Sequence, residues 1–220
     1  MSDLDNRRPI KARDTGWARN LAATLAKARV NPNLISATSV AFAVLGGALL
    51  ASSSSLPDWA RPIALILAAG CVQGRLLCNL LDGMVAVEYG EGSPTGPLWN
   101  ELPDRIADLL FMAGAGYATY SLGWGIGPAL GWLAGALAIL TAYVRELGRG
   151  LGQPADFSGP MAKQHRMATL TAAFVLSALD PLWNGGGKLL LAALVVIALG
   201  TAWTVVRRVR NLAAGLNAQP

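Results

Sequence analysis

Carboxylate side chains cluster in one short stretch of an otherwise apolar chain. Residues 79–108 contain six Asp and Glu side chains. Asn79 and Asp82 are three residues apart and would project from one face of a helix. Asn100, Asp104 and Asp108 follow at four-residue intervals and would share a face of a second helix. A short loop rich in Gly and Pro separates the two groups, so the two faces can oppose each other.

Oxygen ligands from two neighbouring helices suit a hard divalent cation such as Mg²⁺ or Mn²⁺. Ionisable side chains beside apolar spans are costly and usually functional. A phosphate-bearing substrate would complete the coordination. The structural alternative is that the acids cap helix ends and pair with Arg75 and Arg105. The predicted metal ligands are Asn79, Asp82, Asn100, Asp104 and Asp108.

Long apolar segments flank this stretch and cover most of the chain. Hydrophobic residues make up 53% of the sequence, charged residues only 14%, and the mean hydropathy is +0.42. A helix of roughly 20 residues crosses a hydrocarbon core of about 30 Å. Because lipid offers no hydrogen bonds to the backbone, such segments should be helical. The sequence therefore predicts an all-α integral membrane protein with six transmembrane helices, at about 33–52, 60–81, 98–120, 127–147, 167–183 and 187–206.

Three regions follow from this pattern. Residues 1–30 form a basic N-terminal segment, in which Trp17, Leu21, Leu25 and Ala28 predict an amphipathic helix lying on the membrane surface. Residues 31–206 form the six-span domain. Residues 207–220 form a basic tail.

Basic residues set the predicted orientation. In a six-span arrangement, all of the 18 Lys and Arg residues except Arg61 and Lys188 lie on one face. The positive-inside rule places that face, and with it the acid cluster, on the cytoplasmic side of the membrane. The membrane is predicted to be the inner membrane of the cell. The same bias explains the basic pI of about 9.6 without a nucleic-acid partner.

Other candidate chemistry is weaker. Cys71 and Cys78 offer too few ligands for zinc and lie too far apart on one helix for a disulfide. His165 is the only histidine in the chain, and a basic loop residue is its simplest role. A transporter with coupling acids is disfavoured, because the acids cluster at one membrane face and not near the midplane.

The spacing of the acid stretch resembles the signature of the CDP-alcohol phosphatidyltransferases, which is Asp-x2-Asp-Gly-x2-Ala-Arg-x8-Gly-x3-Asp-x3-Asp. Every interval of that signature is kept, while three identities differ. Segments resembling the family also occur elsewhere, as "NPNLIS", "YVRELG" and "GPMAKQHRMA", so that the resemblance covers most of residues 30–206. The corresponding residues are Asn79-x2-Asp82-Gly83-x2-Ala86-Val87-x8-Gly96-x3-Asn100-x3-Asp104.

The resemblance implies roles for individual residues. In the family the acids bind one or two divalent cations that hold the CDP diphosphate, and the last Asp deprotonates the acceptor alcohol. By position, Asp104 would be the base and Asp82 a metal ligand. The matching residues Gly83, Ala86 and Gly96 would lie in the nucleotide site, where glycine allows close approach to the backbone. Lys163 and Arg166 would bind a substrate phosphate, together with His165 and with Arg145 and Arg149 nearby.

The three departures remove charge from the expected site. Asn79 and Asn100 stand where the family has Asp, and each keeps an oxygen ligand while losing a negative charge. Asp108, Glu101 or Glu88 would compensate. Val87 replaces a signature Arg, and Arg75, deep in the second span, is the predicted substitute.

The resemblance favours a phospholipid-synthesis transferase that moves a phosphatidyl group from CDP-diacylglycerol to a small alcohol with release of CMP. It also implies a homodimer among membrane lipids. Two alternatives remain open: a donor of the CDP-amino-alcohol type, and a non-catalytic relative that binds lipid or acts as a scaffold.

Overall fold

The structure is a computed structural model that describes residues 11–53, 55–90, 92–120 and 122–218. These ranges contain seven α-helices and two 3-10 turns, Lys11–Asp14 and Asp180–Leu182. The helices are α1 (Gly16–Lys27), α2 (Pro32–Ser53), α3 (Ala60–Glu88), α4 (Gly96–Tyr120), α5 (Gly127–Gly150), α6 (Lys163–Ser177) and α7 (Lys188–Asn217).

The all-helical prediction is confirmed, and several boundaries differ from the predicted ones. α3 continues to Glu88, so that the first half of the signature is helical and not part of a loop. α6 begins at Lys163 and ends at Ser177, ahead of the 3-10 turn that contains Asp180 and Pro181. α7 continues through the segment predicted as a basic tail. An apolar run marks only the part of a helix that lipid can surround, whereas the intrahelical hydrogen bonds of α3 and α7 continue into the residues that follow it.

Six helices form a closed ring. α2 packs on α3 and α4, α4 packs on α5, α5 on α7, α7 on α6, and α6 returns to α3. The ring encloses an apolar core in which Phe111, Phe174 and Met112 are fully buried. This arrangement places the end of α3, the start of α4 and the start of α6 around one end of the bundle.

Glycine contacts hold α2 and α4 close together. A Cβ atom added to Gly114 would lie 2.7 Å from the carbonyl oxygen of Gly47 and 3.1 Å from the Leu50 Cβ. Gly46 faces Phe111 and Cys71 in the same way. Small residues at such contacts are typical of helix packing within membranes.

α1 lies against α3. Ala18 and Ala22 are fully buried beside Met84 and other residues of α3, while Trp17 and Leu21 are exposed. The alanine row packs because small side chains allow close approach of the two helices. The exposed Trp17 and Leu21 fit the predicted surface helix, whose place at a membrane stays a prediction.

Four of the described helices are long and apolar enough to cross a membrane: α2, α3, α5 and α7. α4 is long enough but has charged residues in its first half, and α6 has only 15 residues. The chain is a multi-pass membrane protein by these helices, and the count of six spans stays a prediction.

Candidate active site

A cavity of about 950 Å³ opens at the end of the bundle where α3 ends and α4 begins. The N-terminal ends of α2, α4 and α6, the C-terminal ends of α3 and α5, and the segment before α1 all contribute to its wall. Eight predicted site residues line it: Asn79, Asp82, Gly83, Ala86, Gly96, Asn100, Asp104 and Lys163. The signature spacing thus converges on one cavity. Arg75, Asp108 and Arg166 are not part of the lining.

Asp82 lines the cavity and has one carboxylate oxygen without a hydrogen-bond partner in the described part of the chain. The residue is only 5% exposed, and its Oδ2 accepts a hydrogen bond of 2.6 Å from Ser36 Oγ on α2. The backbone of Gly83 also faces this carboxylate. Its Oδ1 is buried and has no hydrogen-bond partner in the described part of the chain. An unpaired carboxylate oxygen in such a position costs free energy unless a cation or a donor binds to it.

Asp104 differs from Asp82, since bases contact both of its oxygens. Arg75 Nη2 donates to Asp104 Oδ1 over 2.9 Å, and Lys163 Nζ donates to Oδ2. Arg105 Nη2 lies 3.5 Å from Oδ2. The carboxylate is therefore held ionised by neighbouring positive charges.

Lys163 connects the two helices of the signature. Its Nζ donates to Asn79 Oδ1 on α3 over 2.6 Å and also to Asp104 on α4. Burial and the nearby Arg75 lower the pKa of Lys163 to about 8, against the attraction of Asp104. The ammonium form therefore still predominates at pH 7.

Asp108 lies one turn below the cavity wall, in the fully buried part of the same cluster. Its Oδ1 lies 3.3 Å from Arg75 Nη2, and its Oδ2 accepts a hydrogen bond of 2.8 Å from Arg166. Arg166 also donates to the carbonyl oxygen of Met161 over 2.9 Å. Asp108 thus pairs with both Arg75 and Arg166 inside the bundle, and none of the three lines the cavity.

The oxygen ligands of the site suit a divalent cation at one position, Asp82. The described residues include no group of three or more His, Cys, Asp or Glu side chains placed to hold a metal ion. Lys163 already contacts oxygens of Asn79 and Asp104, whereas Asp82 Oδ1 has no hydrogen-bond partner among the described residues. Asn100, which carries an amide oxygen, also lines the cavity. A divalent cation bound at Asp82 therefore agrees with the chemistry of these side chains.

Arginines and glutamates pair along the rim of the cavity. Arg145 Nη2 lies 2.6 Å from Glu101, and its Nε donates to Glu146 over 2.8 Å. Arg149 also pairs with Glu146, at 2.9 Å. The guanidinium of Arg145 stacks 5.3 Å above the ring centroid of Phe157, a cation–π contact. Glu101 of the acid stretch thus contacts Arg145, while Arg149 pairs within α5.

Sequence reasoning missed Ser36, Glu146 and Phe157. Ser36 is the last residue of "NPNLIS", a segment noted only for the start of the first span. Its hydroxyl contacts Asp82 because α2 packs on α3, a pairing that no local spacing reveals.

Comparisons with known proteins find two relatives over most of the chain. A search against models of known families finds no match. The inner membrane protein YnbA of Escherichia coli K12 is 27% identical over 188 residues, which cover 86% of this chain and 87% of that protein. The archaetidylinositol phosphate synthase of Aeropyrum pernix is 28% identical over 172 residues, covering 76% and 79%.

Solved structures share the fold. The phosphatidylinositol phosphate synthase PgsA1 of Mycobacterium tuberculosis with CDP-DAG bound superimposes with a TM-score of 0.71 at 17% identity, covering 89% of this chain and 92% of that one. The structure of the same enzyme with manganese and citrate gives a TM-score of 0.67 at 18% identity, covering 89% and 88%.

The class defined by the fold and the cavity is that of multi-pass membrane proteins with a polar cavity at one end of a six-helix ring. With these relatives, the signature spacing around that cavity makes the chain similar to the CDP-alcohol phosphatidyltransferases, with three departures from their signature.

Proposed function

We propose that the protein is a phospholipid-synthesis transferase. It moves the phosphatidyl group of CDP-diacylglycerol to a small alcohol, releases CMP and depends on a divalent cation, Mg²⁺ or Mn²⁺. The observation that carries the proposal is the convergence of Asp82, with a free oxygen, and Asp104, with an ionised carboxylate, on one cavity at the signature spacing. The relative with CDP-DAG bound and the relative with manganese support the donor and the metal.

Charge neutralisation is the main requirement of phosphoryl transfer, since the transition state carries its charge on phosphoryl oxygens. Asp82 Oδ1 and the amide oxygen of Asn100 would hold the cation, and a cation bound there would neutralise the donor's diphosphate. The signature residues Gly83, Ala86 and Gly96 line the cavity with small side chains, which leaves room for the cytidine.

Proton transfer is the role of Asp104. The acceptor hydroxyl loses its proton to this carboxylate as its oxygen forms a bond to the β-phosphorus. The bond between the β-phosphorus and the bridging oxygen breaks, and CMP leaves with that oxygen. Arg75 and Lys163 keep Asp104 ionised before the reaction, so that it can accept the proton.

Orientation, assembly and membrane environment complete the proposal. The cavity lies at the end of the bundle that carries Lys163, Arg145 and Arg149, and the positive-inside rule places that end in the cytoplasm. CDP-diacylglycerol would reach the site from the inner leaflet of the inner membrane, past Leu76 and Leu77 in the cavity wall. The homodimer expected from the family is also part of the proposal.

The test measures CMP release by the purified protein. The reaction contains CDP-diacylglycerol, Mg²⁺ or Mn²⁺, and one acceptor from a panel that includes glycerol 3-phosphate, serine and inositol. A parallel reaction with CDP-choline and diacylglycerol tests the CDP-amino-alcohol donor.

The expected result is CMP release with CDP-diacylglycerol and at least one alcohol, abolished by EDTA and by Asp82→Ala. Asp58→Ala serves as a matched control, because Asp58 is exposed and outside the cavity lining. No CMP release with any donor, acceptor or metal would instead favour the non-catalytic relative.

A further inference from the structure

Lys163 lies between two residues of the signature, Asn79 and Asp104. Its Nζ contacts Asn79 Oδ1 and Asp104 Oδ2, one oxygen from each of the two helices that supply ligands. The side chain is 16% exposed and lines the cavity. These two oxygens, an amide carbonyl and a carboxylate, are ligands that a hard cation would use.

Bases already surround the two carboxylates next to Lys163. Asp104 and Asp108 together contact four bases, one of which, Arg105, also pairs with Glu101. Asn79 and Asn100 supply oxygen without charge. A second divalent cation beside Lys163 would add repulsion at short range, where charges interact strongly. The bases are Arg75, Arg105, Lys163 and Arg166.

We infer that the ammonium of Lys163 replaces one divalent cation, so that the site binds a single divalent ion, at Asp82, and uses Lys163 as a second, built-in cation for the diphosphate. This inference rests on the proposed function. It also explains why asparagine stands at two positions where the signature has Asp. The amide oxygen of Asn79 accepts a hydrogen bond from the Lys163 ammonium without the negative charge that would attract a second metal ion.

The surroundings of Asp82 independently support the binding of the single divalent ion there. Asp82 is 5% exposed and lines the cavity, and its Oδ1 has no hydrogen-bond partner among the described residues. Ser36 fixes the other oxygen, so the free one keeps its direction. A diphosphate bridging Asp82 and Lys163 would thus meet a divalent ion on one side and an ammonium on the other.

The test is Mn²⁺ and CDP binding by the full chain in detergent, with no acceptor and no turnover. Electron paramagnetic resonance of unbound Mn²⁺ gives the number of ions per chain in the presence of saturating CDP. The expected number is one for the wild type. The triple variant Asn79→Asp, Asn100→Asp, Lys163→Ala is expected to bind two.

Two variants of Lys163 and one control variant test whether the charge of Lys163 contributes to CDP binding. Lys163→Gln keeps a donor for Asn79 and Asp104 without the charge, and should raise the Kd for CDP at saturating Mn²⁺ by at least tenfold. Lys163→Arg keeps the charge and should restore most of the affinity. Lys27→Gln, an exposed lysine at the end of α1, is the matched control and should leave the Kd unchanged.

The outcomes separate the two proposals. Two Mn²⁺ per wild-type chain, or an unchanged CDP affinity in Lys163→Gln, would overturn the inference and leave the proposed function standing. A wild type that binds neither CDP nor Mn²⁺ would overturn both. Thermal unfolding of each variant in detergent confirms that it is folded before the binding numbers are compared.

Discussion

Two neighbouring parts of the bundle depend on different properties of their side chains. Where α2 and α4 cross, Gly47 and Gly114 bring the backbones together and leave no space for a methyl group. At the cavity, Lys163 and Asp104 come from different helices and form an ion pair in the cavity wall. The glycine contact therefore depends on volume, and the cavity end depends on charge. A substitution that changes only one of the two properties should damage only one of the two regions.

The largest expected effect is a change of charge without a change of shape at the cavity. Asp104→Asn keeps the size of the side chain and removes its ability to take a proton. CMP release should fall by a factor of about 100 to 10,000. The measurement is the initial rate at saturating donor and metal. An unchanged rate would overturn the assignment of Asp104 as the base, while leaving catalysis itself intact.

The next largest effect is a loss of stability, expected when the fully buried ion pair between Asp108 and Arg166 is broken. Arg166→Met keeps the length of the side chain and leaves Asp108 Oδ2 without its partner. Breaking a buried ion pair on one side costs about 3–5 kcal/mol of unfolding free energy. The melting temperature in detergent should therefore fall clearly.

The double variant Arg166→Met, Asp108→Leu is the control for this pair. It removes the unpaired charge together with its partner, and should recover part of the lost melting temperature. A single variant as stable as the wild type would contradict the importance of the pair.

A smaller effect is expected from added volume at the glycine contact. The new Cβ of Gly114→Ala would lie 2.7 Å from the Gly47 carbonyl oxygen, and overpacking of this kind costs about 1–3 kcal/mol. Mn²⁺ binding per folded molecule should stay unchanged. Gly70→Ala on α3 is the matched control, because a Cβ there meets nothing within 4 Å. Equal melting temperatures of the two variants would contradict the distinction between volume and charge.

The smallest effect is expected outside both regions, in the loop before α6. Burial alone would raise the pKa of Asp156, but hydrogen bonds from Ser158 and Asn211 and the charge of Arg208 outweigh it and hold that pKa below 3.8. A carboxyl with a depressed folded-state pKa stabilises the fold above its unfolded pKa, and this contribution disappears as the pH falls through the folded value.

Asp156→Asn should therefore lower stability at pH 7 by less than about 1 kcal/mol, since the side chain is partly exposed. The measurement is the difference in melting temperature from the wild type across pH. That difference should shrink as the pH falls below 3.8, and a difference that grows towards low pH would contradict the sign.

The sequence by itself determined the helical class, the position of the acid stretch and the resemblance to a family signature. Those features follow from local properties: runs of apolar residues, and intervals of three and four residues that place side chains on one helical face. The same reasoning identified eight residues that line the cavity. It also found the charge lost at Asn79 and Asn100, because a missing carboxylate is visible in the residue type.

Only the tertiary structure decided which of the remaining charges face the cavity. Arg75, Asp108 and Arg166 have the residue types of a binding site, yet they pair with one another inside the bundle. Lys163, 59 residues from Asp104 in sequence, reaches the oxygens of the signature. Such partners come from different helices, and their contacts depend on how α3, α4 and α6 are arranged in the ring. No periodicity along the chain encodes that arrangement, because burial and ion pairing are properties of the packed helices together.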